Sequence, residues 1–256
     1  MRQNPIPSHP DGSIWVRSFP VRFTDGFSAA AHDHDWHQFS YVSEGAIRVT
    51  TGSRAFIASP NRAIWIPAGA VHREEIKSCA TMRSLYFASG ACRGPAADCA
   101  VFEVSPLLRE LTIEASVSGA LDARYPAQKR LAQMIADRIV DLAPAQNQEL
   151  PMPRDPRLLA LAKLLFSDPG NDEELAAHSR RIGVSARTAQ RLFAKETGLS
   201  FSRWRQRLRL LAATERLANG SSVTDAAFDV GYASVSAFVF AFQREFGVTP
   251  GRFSRK

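Results

Sequence analysis

The sequence predicts a two-domain α and β protein, with an N-terminal β-barrel or sandwich followed by helices and a C-terminal domain made only of helices. Residues 14–88 contain short stretches rich in β-branched and aromatic residues, separated by turn pairs such as Asp25-Gly26 and Glu44-Gly45. From residue 157 onward, apolar residues recur at helical spacing between glycines. A length of 256 residues is compatible with one or two domains.

Two helices are predicted between these domains, over residues 103–117 and 126–142. Leu131, Ile135 and Ile139 share one apolar face of the second helix, which is typical either of a core or of an interface. Four prolines and no periodicity then predict a linker. The predicted boundaries are 1–100 for the barrel, 101–143 for the helical segment, 144–156 for the linker and 157–256 for the all-α domain.

Composition excludes several classes of protein. With 45% apolar and 22% charged residues, the chain is neither disordered nor a collagen-like or coiled-coil rod. It has no run of about 18 apolar residues, so no membrane span is predicted. The N-terminal stretch MRQNPIPSHPDGS lacks the apolar region of a secretory signal, and three scattered cysteines predict reduced thiols. We therefore expect a cytoplasmic protein.

Positive charge is concentrated in the last hundred residues. Residues 155–256 carry 16 basic and 10 acidic side chains, a net charge of +6, whereas residues 1–154 have a net charge of +1. A basic domain indicates a polyanionic partner, most often nucleic acid, although a basic face also occurs for solubility alone.

The basic domain contains an internal repeat with an offset of 49 residues. Ser185, Phe193 and Gly198 have the same spacing as Ser234, Phe242 and Gly247. In each copy the Ser is placed to cap a helix, the Phe to anchor it and an earlier Gly to make a left-handed turn. This pattern predicts two helix-turn-helix units.

Residues 201–219 are predicted to form one helix between the two units. Nineteen helical residues span about 28 Å, while major grooves on one face of DNA repeat at about 34 Å. Such a helix could hold both second helices against one face of a duplex. Arg203, Arg205, Arg207 and Arg209 would then lie near the DNA backbone or pack across the two units.

The stretch from Gly183 to Pro250, which ends in Gly-Val-Thr-Pro, resembles the AraC/XylS family of bacterial transcription regulators. The resemblance covers about 100 residues and implies double-stranded DNA and RNA polymerase as partners, no membrane, and a homodimer. The 103–142 helices would either form the dimer through the face of Leu131, Ile135 and Ile139 or relay the signal. Its base-reading positions fall on two helices of this sequence. They are Arg187, Thr188, Gln190 and Arg191 in the first unit, and Val235, Ser236, Val239 and Phe240 in the second.

The two sets differ in chemistry. Arg191 and Gln190 are suited to read guanine and adenine by hydrogen bonds. The alternative is that Arg187 or Arg191 contacts only phosphate. Phe240 departs from the family pattern, in which a polar residue is common. An aromatic ring at this position can contact thymine methyl groups. The alternative is that this helix docks on DNA with little base specificity.

A histidine cluster in the N-terminal domain has a second specific spacing. Five residues separate Gly26 from the segment His32-Asp33-His34, three separate His34 from Gln38, and six separate Gln38 from Gly45. Pro67-Ala68-Gly69 is then followed, after two residues, by His72. These segments resemble the two motifs of the cupin barrel, with Gln38 where Glu is more usual.

The cupin resemblance implies a metal site formed by His32, His34, Gln38 and His72. Three imidazoles and an amide oxygen are suitable ligands for Zn, Ni, Fe or Mn. The same side chains are equally suited to bind an organic effector by hydrogen bonds. We expect a sequence-specific transcription regulator without catalytic residues, controlled by a small-molecule or metal signal. The alternative is a metal-dependent cupin enzyme with an appended DNA-binding domain.

Overall fold

The computed structural model describes residues 10, 12–145 and 147–253. Most of the N-terminal stretch for which no secretory signal is predicted lies outside these residues. The described chain divides into two compact units, one within residues 1–49 and 58–145 and the other within residues 50–57 and 146–256. The predicted fold class, a β-rich domain followed by a helical domain, is confirmed.

The described residues form eleven strands. In chain order they are β1 (Ile14–Phe23), β2 (Phe27–Ser28), β3 (Trp36–Gly45), β4 (Ile47–Thr50), β5 (Arg54–Ala58), β6 (Arg62–Ile66), β7 (Arg73–Ile76), β8 (Ala80–Ala88), β9 (Ala100–Glu103), β10 (Ala120–Asp122) and β11 (Glu149–Pro151). A six-stranded sheet of the first unit has the order β10-β1-β8-β3-β6-β9, and β2 pairs with β7. Its strands pair antiparallel, which suits short strands joined by tight turns.

The described residues also form nine helices. They are α1 (Pro106–Ser118), α2 (Pro126–Val140), α3 (Pro156–Ser167), α4 (Leu175–Arg181), α5 (Ala186–Thr197), α6 (Phe201–Ala218), α7 (Val223–Asp229), α8 (Val235–Phe246) and α9 (Pro250–Phe253). A proline opens each of α1, α2 and α3, where its missing N–H costs no helical hydrogen bond. None of the described helices is long and apolar enough to cross a membrane.

The apolar face of α2 lies in the core of the first unit. Ile135 and Ile139 are completely buried, and Leu131 packs against the same cluster, which includes Phe39, Trp65 and residues of α1. Ile135 and Ile139 are therefore unavailable to a second subunit, and the expectation of a dimer formed through them is wrong, whereas Leu131 is half-buried. A homodimer formed in another way stays a prediction.

The segment expected to be a linker contains a strand. β11 pairs antiparallel with β5 inside the second unit, and the Trp204 indole Nε1 donates a hydrogen bond of 2.7 Å to the carbonyl of Pro151. The Glu196 carboxylate accepts hydrogen bonds from the backbone of residues 154 and 155. Because these partners are distant in sequence, periodicity alone gives no sign of them.

Candidate functional site

Backbone pairing in the first unit brings three histidines together. His32 and His72 form a two-way backbone bridge, with both N–H···O distances at 2.9 Å, and Gly69 N donates to the carbonyl of His34. The ring centroids of His32 and His72 are 4.3 Å apart, and those of His34 and His72 are 5.2 Å apart. One ring nitrogen from each histidine lies within 4.8 Å of the other two.

The backbone orients each of these rings in the same way. Nδ1 of His32, His34 and His72 lies 2.9, 2.8 and 2.8 Å from the carbonyls of Ala30, Trp36 and Ala70 respectively. A carbonyl only accepts, so Nδ1 carries the hydrogen and Nε2 of a neutral ring keeps its lone pair. This arrangement is typical of histidines that bind metal through Nε2.

Gln38 joins the cluster from strand β3. Its Oε1 lies 3.0 Å from His34 Nε2, while its Nε2 donates to Ser40 Oγ at 2.8 Å and to Glu74 Oε1 at 2.7 Å. Ser40 Oγ is in turn 2.8 Å from Ser84 Oγ. The cluster is thus the end of a polar column within the β-rich unit.

Three atoms of the cluster lack a complementary hydrogen-bond donor when the imidazoles are neutral. With its hydrogen on Nδ1, a neutral His34 directs a lone pair from Nε2 toward Gln38 Oε1, which is also only an acceptor. His72 is 1% exposed, and its Nε2 has no hydrogen-bond partner in the described part of the chain. A cation between these atoms would satisfy all three lone pairs.

Burial also sets the protonation of the cluster. Desolvation lowers the pKa of His72 to about 4, partly opposed by its hydrogen bond to the carbonyl of Ala70. The imidazole is therefore neutral at pH 7, which is the form that binds metal. Desolvation likewise raises the pKa of Glu74.

The second unit contains the repeated helix pair. In the first copy α4 is followed by α5, and in the second α7 is followed by α8. Gly183 and Gly231 make the turns with φ of 69° and 82°, which only glycine adopts easily. The next backbone N–H in each turn returns to the preceding helix with the same 3.0 Å length, from Val184 to Ser179 and from Tyr232 to Ala227.

Both second helices begin and end alike. The side chains of Ser185 and Ser234 accept the N–H of the third following residue at 3.1 and 3.2 Å. Gly198 and Gly247 end the helices in the left-handed conformation. The predicted helix-turn-helix units are therefore both present.

Helix α5 presents a polar face. Arg187, Gln190 and Arg191 are exposed and make no hydrogen bond or ion pair with the described residues. They line a cleft of about 820 Å³ with Arg205 and the first residues of α6. Thr188 is half-buried, and its hydroxyl lies 2.9 Å from that of Ser185, so it belongs to the helix cap.

Helix α8 presents a different face. Ser236 and Phe240 point to solvent, and Phe240 is 69% exposed with the Arg244 guanidinium 5.8 Å from its ring centre. Val235 and Val239 are half-buried and pack against the core of the second unit. Of the four residues expected to read bases here, two therefore face outward.

Four arginines in the first half of α6, at positions 203, 205, 207 and 209, bind within the second unit, and so the packing alternative applies to them. Arg203 and Arg207 pair with Glu245 at 3.3 and 3.1 Å, and Arg205 donates to the carbonyl of Glu173. Arg209 donates to the carbonyls of Pro169, Gly231 and Asn171 at 3.1, 2.9 and 3.0 Å. Arg209 therefore ties the loop before α4 to the turn before α8.

Comparisons with known proteins find one family for the β-rich domain and another for the helix-turn-helix pair. The AraC-like ligand binding domain family matches residues 22–196, and a helix-turn-helix domain family matches residues 178–256. This chain belongs to the AraC family of transcriptional regulators. Its relatives include the HTH-type transcriptional regulator NimR of Escherichia coli, 31% identical over 230 residues that cover 90% of this chain and 84% of NimR.

Other relatives match this AraC-family chain over shorter or more divergent stretches. RipA of Corynebacterium glutamicum is 39% identical over 124 residues, 48% of this chain and 35% of RipA. Among solved structures, ToxT from Vibrio cholerae O395 aligns over 95% of this chain and 97% of its own, with a TM-score of 0.41 and 11% identity.

In this AraC-family regulator, sequence spacing places His32, His34, Gln38 and His72 correctly in one cluster. His37 lies apart, stacked on Trp65 and accepting a hydrogen bond from the backbone N–H of Ala68. Sequence reasoning missed Glu74. Its signal was present, because Glu74 lies two residues after His72, and alternation along a strand places both on one face.

His178 is a core residue at a position that is usually apolar in the family. Its side chain is 2% exposed, and Nδ1 lies 3.3 Å from the Glu173 carboxylate. Desolvation lowers its pKa. It does not reach the exposed face of α5, because it is buried on the preceding helix α4.

Proposed function

We propose that this AraC-family regulator reads DNA sequence through α5 and α8 under the control of a divalent metal ion bound in its ligand-binding domain. Nε2 of His32, His34 and His72 and Oε1 of Gln38 would hold the ion. The observation that carries this proposal is the convergence of three candidate donor atoms, with His34 Nε2 lying 3.0 Å from Gln38 Oε1 and the buried His72 Nε2 having no hydrogen-bond partner among the described residues.

The donor set indicates which ions fit. Imidazole nitrogens suit Zn, Ni and Fe, and an added amide oxygen is also compatible with Mn. Because all four donors are neutral, the bound ion would keep its charge. An ion held in this way links His32 and His72, at the two ends of the backbone bridge, to Gln38 on β3. Binding of the metal ion would therefore restrain the motion of the segments that carry these three residues, and its release would loosen them.

An organic effector is less well supported at this position. Such a ligand would need donors to satisfy the lone pairs of Gln38 Oε1 and His34 Nε2, which are only 3.0 Å apart. A single cation satisfies both atoms at once. Catalysis is not part of the proposal, because the relatives are transcriptional regulators. Turnover by the isolated protein would contradict this.

On the DNA side, the proposal assigns base contacts to the outward residues Arg187, Gln190, Arg191, Ser236 and Phe240. The three side chains on α5 are free to take new partners, and Arg and Gln pair with guanine and adenine edges respectively. The chain's positive charge adds affinity for any duplex and makes binding strongly dependent on salt.

The test compares the tag-free full chain with a His32→Ala/His34→Ala variant. Elemental mass spectrometry after purification without chelator should find near-stoichiometric metal in the wild type and none in the variant. Binding to a duplex selected from a random library is then measured with and without Zn²⁺ or Ni²⁺. We expect the metal to change wild-type affinity and leave the variant unchanged but still able to bind DNA. Absence of metal from both folded proteins would overturn the metal proposal.

A further inference from the structure

Glu74 lies behind the ligand set, where no sequence motif places a functional residue. It belongs to strand β7, two residues after His72, and its Oε1 accepts a hydrogen bond of 2.7 Å from Gln38 Nε2. The two residues are 36 positions apart in sequence. Glu74 is therefore in contact with the one candidate ligand that departs from the cupin pattern.

An amide is an ambiguous ligand, because only its oxygen can bind a metal ion. The nitrogen of Gln38 carries two hydrogens, and both have acceptors, one at Ser40 Oγ and one at Glu74 Oε1. Turning the amide over would place its oxygen against the Glu74 carboxylate, which cannot donate, and would lose the hydrogen bond between them. The two acceptors therefore fix Oε1 toward His34 Nε2.

Ser40 alone does not fix this orientation. Its hydroxyl is both donor and acceptor, and it also lies 2.8 Å from Ser84 Oγ. After a turn of the amide, Ser40 could donate to the amide oxygen instead. Glu74 lacks this freedom when it is ionised, because a carboxylate only accepts.

We propose that Glu74 is the positioning residue that makes Gln38 an oxygen donor to the metal ion. The inference rests on the proposed metal site and extends it to the ligand selection. In the usual cupin pattern a glutamate itself occupies the position of Gln38. Here the carboxyl group belongs to Glu74, which does not touch the metal ion itself and acts by holding the amide of Gln38.

The test measures metal affinity of the full chain by competition with a chromophoric chelator, using Zn²⁺ and Ni²⁺ alone as probes. Glu74→Gln keeps the size of the side chain but allows either amide orientation. We expect affinity to fall about tenfold to a hundredfold, the range for loss of a partner that orients a metal ligand. Glu75→Gln is the matched control, because Glu75 lies next on β7 and pairs by backbone with Ser28 on β2. It should bind as the wild type does.

A swap variant separates orientation from packing. In Gln38→Glu/Glu74→Gln, position 38 supplies a carboxylate oxygen and position 74 an amide that can donate to it. We expect affinity to return to within about threefold of the wild type or to exceed it. A purely structural role for Glu74 predicts no such rescue, since both positions are then altered.

The outcomes distinguish this inference from the proposed function. Tight binding by the wild type with equal binding by Glu74→Gln would overturn the role of Glu74 alone. Absence of binding by the wild type would overturn the metal site and this inference with it. Far-UV circular dichroism checks that each variant is folded. If Glu74→Gln does not fold, a folded swap variant decides, since its failure to bind metal would also overturn the inference.

Discussion

The two helix-turn-helix units share a backbone but not a surface. Their second helices have equal length and are capped by Ser185 and Ser234, and they end at Gly198 and Gly247, whose backbone angles are nearly identical. The exposed positions differ, because α5 presents Arg and Gln side chains where α8 presents Ser236 and Phe240. The comparison teaches that the scaffold is set by caps, turn glycines and buried Phe, none of which restricts what the outer face carries.

The buried phenylalanines give the strongest test of whether the two helix-turn-helix units are stabilised in the same way. Phe193 and Phe242 are completely buried at equivalent positions, so replacing either with Ala should destabilise the second unit by about 3–5 kcal/mol. Urea unfolding followed by circular dichroism measures this loss. Phe240→Ala is the control, since the same deletion at an exposed site should cost little. A loss below 1 kcal/mol at only one anchor would show that the two units are not equivalent.

Arg191→Ala tests the reading surface of α5. We expect the affinity for a selected operator to fall by about 1–3 kcal/mol, with relaxed preference at one base pair. Fluorescence anisotropy with operator and scrambled duplexes measures this. Arg130→Ala, which removes an equal charge from an exposed position of α2, is the control. Equal losses on both duplexes would make Arg191 a phosphate contact instead.

The serine caps should behave alike in the two units. Ser185→Ala and Ser234→Ala each remove the acceptor of one helical N–H and should cost about 1 kcal/mol of unfolding free energy. Ser236→Ala, in the first turn of α8 but outside the cap, should change stability by less than about 0.5 kcal/mol. A neutral result at one cap with a full loss at the other would break the equivalence of the helix starts.

The smallest effect concerns Phe240. If its ring contacts a thymine methyl, replacing thymine by uracil in the operator should weaken wild-type binding by about 0.8 kcal/mol, the value of one buried methyl group. Phe240→Ala should bind the two duplexes equally. Wild-type binding that is insensitive to uracil at every position would exclude the contact and leave Ser236 as the candidate base contact of α8.

Much of this molecule follows from local patterns. Alternation and turn residues predict the β-rich domain, and the Ser, Phe and Gly spacings predict both helix pairs because caps and anchors act within one or two turns. The His32, His34 and His72 cluster is also predictable, through the resemblance of its spacing to the cupin motifs. The strand β11 was not predictable, because its partners lie far away in the sequence. The burial of Ile135 and Ile139 was not predictable either, because an apolar helix stripe is compatible with a core or with an interface.

The sequence by itself determined the two domain types and the repeated helix pair, because each depends on periodicity or spacing along a short segment. The histidine cluster joins two distant segments and was predicted only through their resemblance to the cupin motifs. Only the tertiary structure decided that Glu74 orients Gln38, that Val239 faces the core while Phe240 faces solvent, and that Arg209 binds three backbone carbonyls. These contacts join residues far apart in the chain or depend on small rotations of a helix. They are therefore settled by packing, which no local pattern encodes.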